Sequence, residues 1–367
     1  MSYKFLNYIF NKAMFGLNNN FILLFFLILF LGLLLNYLLI KNYKKLNLKI
    51  FLDSDFKKPQ SFHRENIPRI GGLSFYIIFI IIFFLNSKFY YDLFLLSSAC
   101  FFIGLIDDIK LSNSPKIRLI LLLFSINLII FIFNIETPKF YIFNLDALLS
   151  KSIFLNIFLL SICFLIVING SNFIDGYNGL LIGQFFIILV IINFINYYFF
   201  NYELLFFGIA FLALSISLLL FNFPKAKLFL GDSGSYLIGG ILSYLLIKTS
   251  TSTKFSIPPF FFACIIYYIF FEVVFSFFRK LILEKKNPFY PDNKHLHMLL
   301  FKFFKKKNIL IKANYKTGLC VNFIYLTSLL PLIFFYKNLL LLKVYFFTLL
   351  VFYLVLYFTM RYKCLKK

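Results

Sequence analysis

The sequence predicts an all-α, polytopic integral membrane protein of about 11 transmembrane helices, and three observations carry that prediction. Hydrophobic residues make up 62% of the 367 and mean hydropathy is +0.89, far outside the range of soluble domains. The apolar residues gather into runs of roughly 20, the length a helix needs to cross the hydrocarbon core. Lys and Arg are shared unequally between the two sets of loops that those runs define.

Spans are expected near 21–40, 70–85, 93–106, 117–133, 153–168, 180–199, 203–221, 234–247, 257–282, 318–335 and 338–360. The first, Phe21 to Ile40, is too long for a signal-peptide core and has no small-residue cleavage site after it, so it is retained. Gly71-Gly72 opens the second. The third and eighth are short and abut Asp-bearing segments, so each recruits flanking polar residues into its helix or lies where the bilayer is thinned. A turn at Ser112 to Pro115 leads into the fourth. The fifth and sixth flank an Asn- and Gly-rich island, and the seventh and eighth flank a Lys-bearing one. The ninth ends in Arg279-Lys280, and the last two close the chain. The segments 41–69, 107–118, 222–233, 279–317 and 361–367 hold 28 of the 37 Lys and Arg. Cytoplasmic loops carry that excess, which puts the N-terminus outside, the C-terminus inside and every polar island in the cytoplasm.

The whole of 1–367 thus reads as a single transmembrane domain with cytoplasmic loops near 41–69, 107–118, 169–179, 222–233 and 283–317. Phe 58, Tyr 24 and no Trp, with Lys, Asn and Ile abundant, is the residue usage of an AT-rich genome, so part of the +23 charge is compositional. The basic residues are dispersed among spans and form no stripe with stacking aromatics, which excludes nucleic acid as a partner. The five Cys form no CxxC and no close pair, and read as small buried hydrophobes.

Five polar islands remain. Asp107-Asp108 ends an apolar helix; adjacent like charges push one pKa upward, which suits a base or a metal ligand, although a solvated helix terminus would look the same. NGSNFIDGYNGL, residues 169–180, sets Asn169, Asn172, Asp175 and Asn178 among three glycines. Such oxygen donors can hold a hard cation or read a base, as an ordinary Asn-rich hairpin also could. FNFPKAKLFLGDSGSYLIGG, residues 221–240, joins Lys225 and Lys227 to Asp232 at a helix start. Helix amides and two Lys make an anion site, and Mg²⁺ bridging Asp232 and a diphosphate would reconcile the carboxylate with it. SFHRENIPRIGGL carries His63, Arg64 and Arg69, and FYPDNKHLHMLL carries Lys294, His295 and His297. His295 and His297, at i and i+2, do not share a helix face and lack a third soft ligand, so anion or sugar contacts suit them better than zinc.

In this order the motifs KPQSFHRENIPRIGG, GLIDD, NGSNFIDGYNGL, FPKAKLFLGDSGS and DNKHLH resemble the polyprenyl-phosphate N-acetylhexosamine-1-phosphate transferases, over roughly residues 53 to 300. The resemblance implies transfer of a sugar-1-phosphate from a UDP-sugar to undecaprenyl phosphate at the cytoplasmic face of the bacterial inner membrane. It implies Mg²⁺, replaceable by Mn²⁺, and admits a homodimer. Asp107 and Asp108 resemble the catalytic pair; Asp232 and Asn172 the metal site; Asp175 and Asn178 the nucleotide site. His63, Lys116, Lys225, Lys227, His295 and His297 resemble the phosphate and sugar contacts. Glu272 stands where relatives carry an acid upstream of a basic helix end. Asn178 replaces an aspartate common in relatives, and Met298 follows the histidine pair where many carry a third His, which argues against the muramoyl-pentapeptide branch. A transporter of anionic solutes is the rival class, but its polar groups should lie near the bilayer midplane rather than at one face.

Overall fold

The computed structural model describes residues 19–43, 45, 52–53, 67–86, 88, 90–109, 114–142, 144–252, 257–288, 290, 292–306 and 308–365. His63 and Arg64 lie outside these residues. The helices are α1 (Asn19–Asn42), α2 (Gly71–Leu85), α3 (Tyr91–Asp108), α4 (Pro115–Phe133), α5 (Leu145–Lys151), α6 (Ile153–Ile174), α7 (Leu180–Tyr198) and α8 (Tyr202–Asn222). They continue as α9 (Gly231–Ser252), α10 (Pro259–Ile265), α11 (Tyr267–Phe278), α12 (Leu296–Lys305), α13 (Leu310–Leu329), α14 (Leu332–Phe335) and α15 (Leu339–Leu365). A single antiparallel ribbon pairs β1 (Leu52–Asp53) with β2 (Ile67–Pro68).

Among the described residues, seven helical stretches are long and apolar enough to span a bilayer, or eight with α10 and α11 taken as one broken span. The protein is therefore all-α and polytopic. α2 is a shorter apolar helix. α3 and α9 take in the polar residues expected at their ends, Asp92 and Asp108 in the first and Asp232 and Ser252 in the second. Burial of α9 is nearly continuous from Ser233 to Leu246, and it packs on α2, α3, α6, α7, α8 and α10, so the molecule is built around it. α1 and α15 present mostly exposed Phe, Leu and Val, as lipid-facing helices should.

Local chemistry fixes the ends. Pro115 stands in the first turn of α4 behind Ser114, whose Oγ accepts from Ile117 N at 3.4 Å. α3 and α9 run antiparallel and are tied at both ends: Lys248 Nζ lies 3.0 Å from Asp92 Oδ2, and Asp108 meets the start of α9. Their approach at the Asp108 end needs Gly104, since a Cβ there would come within 2.4 Å of the Asp232 carbonyl oxygen.

Two features depart from the expected layout. The span expected over 257–282 is bent by 76° at Ile266, beside the Ile265 carbonyl that accepts from the Tyr325 hydroxyl. The loop expected over 283–317 is largely helical, holding α12 and the first turns of α13. Lys302, Lys305, Lys312 and Lys316 lie on these helices, and the stretch Leu296 to Phe301 is buried.

Candidate active site

The ends of α3, α4, α6, α8 and α9 and the start of α2 converge at one end of the bundle. Gly71 N donates to Phe229 O (2.9 Å) and Gly72 N to Leu230 O (2.8 Å), so the backbone before α9 is paired with the start of α2. Gly231 then takes φ +76°, a left-handed conformation that favours glycine, and turns the chain into α9. A Cβ at that position would also strike Asp108 Oδ2 at 2.6 Å.

Asp108 is 4% exposed, and its carboxylate accepts from Asp232 N (2.9 Å), Ser233 N (2.8 Å) and Ser233 Oγ (2.6 Å). It caps α9 from another helix, meeting amides that have no partner within their own. Burial, with the Asp232 charge behind it, pushes this carboxyl up to about 7, against the pull of its three donors. The sequence anticipates a raised aspartate here; the neighbour responsible is Asp232 rather than Asp107. Asp107 instead accepts from Arg118 Nη1, and the same guanidinium nitrogen lies 3.7 Å from Asp232 Oδ2. Arg118 is a site residue that the sequence motifs do not mark; the basic residue they point to in this segment is Lys116. Lys116 is exposed, and Lys225 and Lys227 lie on the exposed side of the loop before α9.

Asn172, in the last turn of α6, donates through Nδ2 to Asp232 Oδ1 (3.0 Å) and Ser235 Oγ (3.0 Å), leaving its amide oxygen for another partner. Asp175 follows at the end of α6; burial, then the charges of Asp232 and Asp108, raise its pKa well above the usual carboxylate value, with Arg69 opposing. Three carboxylates thus bear on one another at this end of the bundle. Asn178 stands in the loop between α6 and α7. It is buried, its N–H donates to Asn314 Oδ1 (2.8 Å), and its Nδ2 donates to Pro224 O (2.9 Å). Gly179 N donates to Asn222 Oδ1 (2.7 Å) and Asn322 Nδ2 donates to Gly179 O (2.8 Å), so this stretch is stapled to α8 and α13.

A second cluster lies on the other side of the α6 terminus. Glu272, on α11, meets His295 Nδ1 at 2.7 Å, His297 Nδ1 at 3.5 Å and Leu296 N at 3.2 Å. The two rings stack at 5.4 Å and 13°, contrary to the expectation from their spacing, because His295 is the extended residue before α12 (ψ 154°) and the helical period starts only at Leu296. His295 packs against Phe173 and His297 against Tyr177, which bracket Asp175. Burial holds His297 below the ordinary histidine value. Arg279, buried, grips Glu284 (2.7 Å) and Asp292 (2.5 Å) and closes the loop before α12. Burial opposes it, but His295 and Arg279 hold Asp292 below the usual carboxylate range.

Among the described residues, no group of three or more His, Cys, Asp or Glu is close enough to hold a metal on its own. Asp232 carries a side chain 31% exposed and faces the charge of Asp175. That suits a cation held by one or two carboxylates and completed by phosphate oxygens, the usual arrangement for Mg²⁺.

Residues 90–250 match the family described as Glycosyl transferase family 4. The chain is 31% identical over 256 residues to the undecaprenyl-phosphate alpha-N-acetylglucosaminyl 1-phosphate transferase of Thermotoga maritima, covering 69% of this chain and 75% of that protein. It is 27% identical to the Escherichia coli K12 protein of the same name, over 65% of this chain and 66% of that one. It is 32% identical to the phospho-N-acetylmuramoyl-pentapeptide-transferase of Dictyoglomus turgidum, over 51% of this chain and 61% of that protein.

Proposed function

The chain belongs to glycosyl transferase family 4, and from that premise we propose that it transfers N-acetylhexosamine-1-phosphate from a UDP-sugar to undecaprenyl phosphate, releasing UMP and starting a lipid-linked cell-envelope glycan. The observation that carries the reading is the meeting of Asp107, Asp108, Asn172, Asp175 and Asp232 with Arg118 at one end of a membrane bundle. A lipid-borne phosphate and a soluble nucleotide can both reach such a place.

Phosphoryl transfer asks mainly for positioning and neutralisation of negative charge. In direct attack, an oxygen of the lipid phosphate bonds to the β-phosphorus of the UDP-sugar as the bond from that phosphorus to the bridging oxygen breaks and leaves with UMP. Asp232 and the amide oxygen of Asn172 would hold Mg²⁺ or Mn²⁺, which when bound supplies positive charge to the diphosphate. Asp108 holds the start of α9, and so Asp232, in place; Asp107 orients Arg118 toward the diphosphate and is the member of the pair left to accept a proton from the lipid phosphate. Asp175 faces the nucleotide, with Asn178 keeping its loop in position. The His295–His297 pair, as a unit, with the exposed Lys116, Lys225 and Lys227 and with His63, serves the phosphates and sugar. The 28-to-9 division of basic residues supports eleven crossings, an external N-terminus and a cytoplasmic active site.

Purified protein should exchange labelled UMP into UDP-N-acetylhexosamine only with a polyprenyl phosphate and Mg²⁺ present. Exchange without lipid would replace direct attack by a covalent aspartyl intermediate, and solute uptake into proteoliposomes without any lipid product would remove the enzyme reading. The muramoyl-pentapeptide reading is the runner-up, and is disfavoured by the lower coverage of that relative.

A further inference from the structure

Glu272 is a fully buried carboxylate to which the transfer reaction gives no task, in a broken span where an ionisable side chain is costly. Groups from one short segment converge on it. Leu296 N, the first amide of α12, lies 3.2 Å from Oε1, so Glu272 satisfies an orphan donor of a different helix and sets a negative charge at its N-terminus. His295 Nδ1 lies 2.7 Å from Oε2, and its Nε2 is 3.5 Å from Asp292 Oδ1. Both ring nitrogens of His295 therefore already face carboxylates of the protein. His297 differs: Nδ1 faces Glu272 and the Tyr268 hydroxyl (3.2 Å), whereas its buried Nε2 has no hydrogen-bond partner among the described residues. The bend at Ile266 re-aims the chain six residues before Glu272, and the two rings rest on Phe173 in the last turn of α6, which presents Asn172 to Asp232, and on Tyr177 just after it.

We propose that Glu272 is a positioning residue of the transfer: by capping α12 and holding both histidine rings, it sets where His297 Nε2 stands relative to the Asn172–Asp232 end of α6. His295 is then a strut between Glu272 and Asp292, and His297 is the member of the pair that meets the donor. This role rests on the transferase reading above.

Full-length protein in nanodiscs, with UDP-N-acetylglucosamine and undecaprenyl phosphate, provides the test. Glu272→Gln keeps the shape but cannot accept from Leu296 N and both rings together. It should raise the donor KM about tenfold, the scale of one lost charged hydrogen bond, with kcat within about threefold. In a His297→Gln background the same change should add less than about twofold, because both substitutions act through one ring. Equal factors in the two backgrounds, or an unchanged KM, would overturn the role and leave a purely structural carboxylate. Should Glu272→Gln fail to accumulate, Glu272→Asp keeps the charge and retracts the carboxylate by about one bond length; it should give the KM rise, and a wild-type KM would overturn the role equally. Wild-type protein forming no lipid product from any UDP-sugar would remove the transferase reading and this role with it, whereas wild-type turnover beside mutants of unchanged KM removes the role alone.

Discussion

Replacing Asp108 by Asn should cost both stability and turnover, and the structure gives the size of each. The carboxylate accepts three hydrogen bonds, from Asp232 N, Ser233 N and Ser233 Oγ, at a position 4% exposed. An amide offers one oxygen, and its NH2 must then face a backbone N–H that has no other acceptor. One charge-assisted bond is lost outright and the other two are weakened to neutral ones, at about 1.5–3 kcal/mol for the first and about 1 kcal/mol together for the others. Loss of the charge at the start of α9 adds about 0.5 kcal/mol, and relief of repulsion with Asp232 returns a similar amount. The net is about 2.5–4 kcal/mol, a large fraction of the typical 5–15 kcal/mol that keeps a protein folded. Because Asp232 is the second residue of α9, fraying there also displaces the proposed metal ligand, and kcat should fall by about 100-fold or more. The assay is thermal inactivation in nanodiscs beside initial rates at a permissive temperature, with Asp107→Asn as control. The control loses its pairing with Arg118 but no helix cap, so it should lower turnover with less effect on melting. A melting midpoint for Asp108→Asn within about 1 °C of wild type would refute the capping argument.

Asp232→Asn should abolish transfer while leaving the protein folded, since the oxygen that accepts from Asn172 is retained but the charge is not; measurable Mg²⁺-dependent turnover would contradict it. Asn178→Asp sets a carboxylate against the Pro224 carbonyl and should lower the melting midpoint by the equivalent of about 1–3 kcal/mol, with donor KM changed by less than about threefold. A selective KM rise with unchanged melting would restore direct nucleotide contact to that residue. Lys363→Cys in an otherwise cysteine-free variant should resist an impermeant thiol reagent in intact cells and react after lysis, and labelling of intact cells would overturn the cytoplasmic C-terminus.

Much of the site was legible because its chemistry is foreign to its surroundings. An Asp at the end of an apolar run stands out, and Asp108, Asp175 and Asp232, from three separate islands, prove to act on one another. What the sequence hid were contacts that depend on packing. Arg118 stands at the edge of the span expected over 117–133, and its reach back to Asp107 follows only from how α3 and α4 pack. Asn222, Asn314 and Asn322, which staple the loop after Asp175, were indistinguishable from the many Asn that composition supplies. The stacking of His295 on His297 was obscured by reading a helical period through a residue that precedes the helix. The break at Ile266 has no Pro or Gly beside it to announce it, and the side chain that bonds the carbonyl there, Tyr325, comes from α13.

The most direct test of the central claim is mass analysis of the lipid formed when wild-type protein is given undecaprenyl phosphate, Mg²⁺ and a panel of UDP-sugars that includes UDP-N-acetylmuramoyl-pentapeptide. The account predicts undecaprenyl diphosphate carrying one N-acetylhexosamine, with one UMP released per lipid. A lipid carrying the muramoyl-pentapeptide, a lipid monophosphate sugar released with UDP, or no lipid product from any donor would contradict it.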